Sequence, residues 1–90
     1  MKGRRTHYEI YWEILIFCKN QKSFTSIIQH CNLNSKICQE YLDFLIQKQY
    51  LSIEKQNERS YYLTSAGAQE FLLLFSQLYR KLFEKYPGSD

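Results

Sequence analysis

The sequence predicts a mainly α-helical domain carrying one small β-hairpin, followed by a long C-terminal helix. Three observations predict it. Side chains able to cap helix N-termini precede three stretches of helical apolar spacing in the first half of the chain. Two short alternating runs flank a polar turn between residues 50 and 63. From Thr64 to Tyr86, apolar residues recur at helical spacing until Pro87-Gly88 ends the pattern.

The first helix is expected from about Tyr8 to Lys19. Thr6 and Glu9 have the spacing of a capping box, in which each side chain satisfies the other residue's backbone N–H. Ile10, Tyr11, Ile14, Phe17 and Cys18 form one apolar side, and Tyr8, Trp12 and Leu15 another. Only Glu9 and Glu13 make a polar edge, so this helix should be buried on two sides. Asn20 to Lys22 is a polar break. Ser23 can then cap a second helix over Phe24 to Cys31, with Ile27, Ile28 and Cys31 inward; Phe24 could instead belong to a short strand. Asn32 and Leu33 make a tight turn, and Asn34 caps a third helix from Ser35 to about Lys48. Its inward positions are Cys38, Tyr41, Leu42 and Leu45, spaced i, i+3, i+4, i+7.

Tyr50 to Lys55 alternates as a half-buried strand would. Gln56-Asn57-Glu58-Arg59 is the turn, with Asn57 best suited to a left-handed conformation, and Ser60 to Leu63 returns as the second strand. Thr64 is expected to cap the fourth helix. Two short helices joined by a tight turn, with a hairpin directly after the second, make a winged helix-turn-helix. The expected organisation is a winged helix-turn-helix region over residues 1–63, with residues 64–90 a dimerisation helix and tail packed as part of the same domain.

Composition narrows the function. The chain has 90 residues and net charge +3. Residues 1–63 hold nine basic and six acidic side chains, while residues 64–90 hold three of each, so the basic excess belongs to the first two thirds. Cys18, Cys31 and Cys38 are an odd set without paired spacing. They read as buried free thiols of a reducing compartment, not as disulfides or metal ligands. The N-terminal MKGRR leads into a helix containing Glu9 and Glu13, unlike a secretory leader, and no run has the length of a membrane span. A cytoplasmic protein with no membrane partner is expected. With two histidines, three glycines and no nucleophile in a recognisable setting, the sequence suggests neither an enzyme nor a small-molecule ligand or cofactor.

Tyr41-Leu42-Asp43-Phe44-Leu45, then Lys48 and Tyr50-Leu51, then Tyr61-Tyr62-Leu63-Thr64 with Gly67 and Phe71-Leu72, resembles the archaeal ArnR-like winged helix regulators. The resemblance spans about residues 6 to 80. It implies DNA binding, and it implies dimerisation through an antiparallel coiled coil of the last helix. Gln49 stands where that family commonly has Gly. A left-handed residue other than Gly costs on the order of 1 kcal/mol, which argues for a different end to the third helix here.

If the third helix enters a major groove, Ser35, Lys36 and Gln39 near its N-terminus face the bases, with Glu40 beside them. Gln can pair bidentately with adenine, and Lys can reach guanine acceptors. Lys55, Asn57 and Arg59 at the wing, the basic arm of Lys2, Arg4 and Arg5, and Lys22, Ser23 and Thr25 at the start of the second helix are candidates for phosphate contact. Glu40 and Asp43 on or near the reading surface oppose phosphates. They keep open a protein-contact module using Ile37, Phe44 and Ile46, as well as an architectural DNA-binding role of weak sequence preference. The apolar arc of the last helix is about twice the ~100° one core needs. It predicts a homodimer through Phe71, Phe75, Leu78, Tyr79, Leu82, Phe83 and Tyr86, joined by Tyr8 and Trp12 of the first helix.

Overall fold

The computed structural model describes residues 6–83, with side chains described as far as Lys81. Helix α1 spans His7–Phe17, strand β1 Lys22–Ser23, helix α2 Phe24–Cys31 and helix α3 Ser35–Gln47. Strands β2, Leu51–Gln56, and β3, Arg59–Thr64, form the hairpin. A 3₁₀ turn over Ala66–Ala68 leads into helix α4, Gln69–Phe83. The sheet is antiparallel in the order β1-β3-β2.

The three helix starts form as their capping residues dictate. Thr6 Oγ1 accepts from the Glu9 backbone N–H at 3.1 Å, and the Thr6 N–H donates to Glu9 Oε1 at 2.8 Å. Ser23 Oγ accepts from the Ser26 N–H, and Asn34 Oδ1 accepts from the Ile37 N–H at 2.8 Å. Asn32 closes α2 in the left-handed region, φ 56°, where asparagine is better tolerated than most residues. The helix-turn-helix is thus held by side chain-to-backbone bonds at each corner. Behind it, Ile14, Leu15, Cys18, Ile27, Cys31, Cys38, Leu42 and Leu45 are fully buried together with Leu51, Tyr62 and Ala68.

Four expectations are corrected. Thr64 is the last residue of β3 and does not cap α4. Its hydroxyl donates to the Leu15 carbonyl at 2.6 Å and its N–H to the Cys18 carbonyl, tying the hairpin to the end of α1. Ser65 occupies the cap position of the 3₁₀ turn, but its hydroxyl turns away to the Gln49 carbonyl. Second, α3 ends in the left-handed geometry despite lacking glycine: Gln49 has φ 67°. The Tyr50 N–H reaches the Leu45 carbonyl and the Gln49 N–H the Ile46 carbonyl, the two bonds of a Schellman motif. Those bonds outweigh the steric cost of the β-carbon. Third, only Leu51 of β2 is buried; Ile53 on the same face is 43 % exposed, because the hairpin extends beyond the helices. Fourth, the short strand near Phe24 consists of the two residues before it, with Lys22 paired to Tyr62 and Ser23 to Tyr61.

Candidate nucleic-acid interface

Helix α3 presents Ser35, Lys36, Gln39, Glu40 and Asp43 to solvent, while Cys38, Leu42 and Leu45 anchor its opposite side. The arrangement follows from the sequence: the buried positions occupy one stripe, and every charged residue of the helix lies off it. Gln39 Nε2 donates to Asp43 Oδ1 at 2.9 Å, so the carboxylate one turn along engages the candidate base-reading amide. Burial raises the pKa of the nearby Tyr62 phenol, offset in part by Gln39 and Ser60.

At the start of α2, Ser23 is half-buried and its oxygen serves the cap, bonding both the backbone N–H and the hydroxyl of Ser26. Thr25 is exposed. Lys22 Nζ lies 4.7 Å from the Phe17 ring centroid and donates to the Asn20 carbonyl. His30 stacks on the Phe17 ring at 3.9 Å. This small stack holds the Lys22 ammonium over the Phe17 ring, on the residue just before the Ser23 cap of α2. In the hairpin, Gln56 pairs with Arg59 and Lys55 with Ser60. Asn57 and Glu58 make the turn with φ 53° and 66°, so both central residues are left-handed, as a two-residue hairpin of this type requires. Lys55, Asn57 and Arg59 are all exposed at the tip. Arg4 and Arg5 lie outside the described residues.

The α4 surface is divided. Phe71, Phe75 and Tyr79 stack in sequence, with Tyr50 beyond Phe71, and Trp12 packs on both Phe75 and Tyr79. Trp12, Phe71 and Phe75 are therefore half-buried within the chain itself. The adjoining edge is open: Tyr8 is 64 % exposed, Leu74 56 % and Leu78 51 %. These three, with Thr6, Glu9, Phe71 and Phe75, line an apolar groove of about 390 Å³ between α1 and α4. Leu74 belongs to the apolar arc that the sequence gives the fourth helix, but it was not among the residues expected at the dimer interface; its helical position next to Leu78 was the available signal. The side chains of Leu82 and Phe83, and Tyr86 altogether, lie outside what the structure describes.

Among the described residues, no group of three His, Cys, Asp or Glu side chains is placed to hold a metal ion, and no helix is long and apolar enough to cross a membrane. The three thiols are buried and none is in a disulfide.

No curated protein matches the sequence. Among solved structures, the chain resembles Sso10a-2, a DNA-binding protein from Sulfolobus solfataricus, with TM-score 0.68 and 25 % identity over 91 % of this chain and 100 % of that one. It also superposes on F93 from STIV, a winged-helix DNA-binding protein, with TM-score 0.77 and 12 % identity over 96 % and 100 % of the two chains. The homodimeric winged helix-turn-helix DNA-binding domain Mb0332 of Mycobacterium bovis gives TM-score 0.71 and 14 % identity over 97 % and 98 %. The last two likenesses concern the fold. Together with the helix-turn-helix corner and the hairpin wing, a family model matching residues 4–84 settles the classification: the chain belongs to the winged helix-turn-helix family.

Proposed function

We propose that this protein is a transcription regulator that binds duplex DNA as a homodimer, in the manner of the archaeal ArnR-like regulators its motifs resemble, and that it works in the cytoplasm. The observation that carries the reading is the placement of Lys36 and Gln39 on the exposed N-terminal half of α3, opposite a fully buried anchoring stripe. Residues 1–63 form the DNA-reading unit in this proposal, and the segment from residue 64 brings two copies together. Ser35, Lys36 and Gln39 face base edges; Lys22, Thr25, Lys55, Asn57, Arg59 and the Arg4-Arg5 arm hold phosphates. Ser23 acts through the α2 cap it forms. No chemistry is assigned to the protein.

The test is duplex binding across a salt series. Lys36→Ala and Gln39→Ala should each weaken binding to a selected site by roughly 1 to 3 kcal/mol. Arg59→Ala should weaken selected and unselected duplexes alike and flatten the dependence on salt. Three near-zero effects would overturn the proposal. They would favour a protein-contact module, for which Phe44, 39 % exposed and stacked on Tyr11 at 5.0 Å, supplies the anchoring surface.

A further inference from the structure

The wing is held to the rest of the chain near its base. In β2 and β3 only Leu51 and Tyr62 are buried, and apolar packing is non-directional, so it sets the depth of the hairpin and not its aim. Directional contacts come from β1, which pairs Lys22 with Tyr62 and Ser23 with Tyr61, and from Thr64. Thr64 meets an unfinished helix end. The Cys18 N–H donates to the Ile14 carbonyl, and the Lys19 N–H goes to Ile16 at 3.3 Å, so α1 itself leaves the Leu15 and Cys18 carbonyls open. Thr64 answers both. Its hydroxyl donates to the Leu15 carbonyl at 2.6 Å, and its N–H to the Cys18 carbonyl at 2.9 Å. Leu15 is fully buried, so water cannot take over from the hydroxyl unless the base of the hairpin lifts off α1.

From this geometry we infer that Thr64 is a positioning residue for DNA binding, whose hydroxyl on α1 aims the wing so that Arg59 reaches a phosphate while α3 lies in the major groove. The inference rests on the proposed reading that α3 and the wing touch one duplex together. The hairpin transmits the aim because it moves as a unit. Its register is unbroken from Leu51 opposite Thr64 to Gln56 opposite Arg59, and the Ser52 hydroxyl donates to the Leu63 carbonyl at 3.1 Å. Five residues of strand separate Thr64 from Arg59, about 17 Å of lever. Turning the base by about 10° would carry the tip roughly 3 Å, further than a hydrogen bond to phosphate can stretch.

The experiment measures duplex binding across a salt series for the wild type, Thr64→Val and Thr64→Ser, each with and without Arg59→Ala. Valine keeps the branched shape and removes the donor. Thr64→Val should therefore reduce the salt slope by about one, as loss of one phosphate contact does, and adding Arg59→Ala to it should change binding less than twofold. Lys36→Ala should cost as much in Thr64→Val as in the wild type, since α3 stays in place. Thr64→Ser keeps the hydroxyl and should restore both the slope and the full Arg59→Ala effect. Thr64→Ala, with room for a water at the Leu15 carbonyl, carries the same expectation as the valine variant if that chain is too unstable to assay. A purely structural Thr64 would lower the unfolding midpoint and leave the Arg59→Ala effect at full size. That result overturns the inference and leaves the DNA-reading proposal standing. A wild-type chain in which Arg59→Ala changes nothing takes the wing off the DNA and overturns the inference together with the phosphate role proposed for the wing.

Discussion

Gly67 passes so close to Gln49 that a β-carbon added to the glycine would lie 2.5 Å from the Gln49 carbonyl oxygen. The neighbour is backbone, and it cannot swing aside. The same carbonyl accepts the Ser65 hydroxyl at 2.6 Å, and the Ser65 N–H donates to the Tyr50 carbonyl. Through these contacts the entry to α4 is fastened to the end of α3. Gly67→Ala must push the two apart, and it should destabilise the fold by about 1 to 3 kcal/mol, the usual penalty of overpacking. Urea unfolding of the two proteins measures it; an unchanged midpoint would show that the segment yields freely.

Gln49 itself offers the opposite change. Its backbone is left-handed, and both backbone bonds of the helix end come from N–H groups that any non-proline residue supplies. Gln49→Gly should therefore keep the motif, remove the β-carbon strain and raise stability by about 1 kcal/mol, less what the more flexible unfolded chain regains. A fall in the unfolding midpoint would mean that the glutamine side chain contributes packing that outweighs the strain.

The thiols predict the response to alkali. Burial pushes Cys18 up to about 12, with the neighbouring Cys31 adding to the shift, and pushes Cys38 up to about 11. In the unfolded chain such thiols ionise near the ordinary value of 9.0. Above that pH the unfolded state has released protons that the folded state still holds, so stability falls as pH rises from about 9 toward 12 and is insensitive to these groups below. The raised phenols of Tyr11 and Tyr62 act in the same sense. Thermal unfolding between pH 7 and 11 should show the decline, and it should be shallower in Cys18→Ala/Cys38→Ala, despite that variant's lower stability at neutral pH. At neutral pH the same burial should make labelling of all three native thiols slow.

Local chemistry made much of this legible. Thr6, Ser23 and Asn34 announce helix starts because a cap needs only a side-chain oxygen and the next turn of backbone. The buried faces of α2 and α3 follow from spacing alone. What escaped depends on pieces distant in sequence. Thr64 has the composition of a cap, but its hydroxyl is taken by Leu15, 49 residues earlier. Gln49 looks unsuited to a left-handed end until the bonds of Tyr50 and Ser65 around it are known. In the interface, exposure of Lys36 and Gln39 was readable from the helix period. The engagement of Gln39 by Asp43 was not, since helical spacing places the two side chains near each other without saying that they bond.

The open edge of α4 carries the last prediction. Trp12, Phe71 and Phe75 pack within the chain, yet Leu74 and Leu78 are more than half exposed beside Tyr8, which is 64 % exposed. Full burial of one such side chain is worth about 1.5 to 3 kcal/mol, and a contiguous patch of them is unusual on a soluble monomer. The groove they line runs between α1 and α4, and a second copy of α4 with its own Leu74 and Leu78 has the complementary apolar character. The Trp12 indole N–H, buried without an acceptor among the described residues, lies on the α1 surface that packs against α4. Because Leu74 and Leu78 contribute little to the chain's own core, Leu74→Lys with Leu78→Lys should leave the far-ultraviolet circular dichroism intact while disrupting assembly. Light scattering should give twice the 10.9 kDa chain mass for the wild type and the single mass for the variant. With one DNA-reading helix in place of two, the variant should bind a two-half-site duplex no better than a single half-site. A wild-type chain that stays monomeric at micromolar concentration would remove the dimer from the proposal and leave the exposed edge to a different partner.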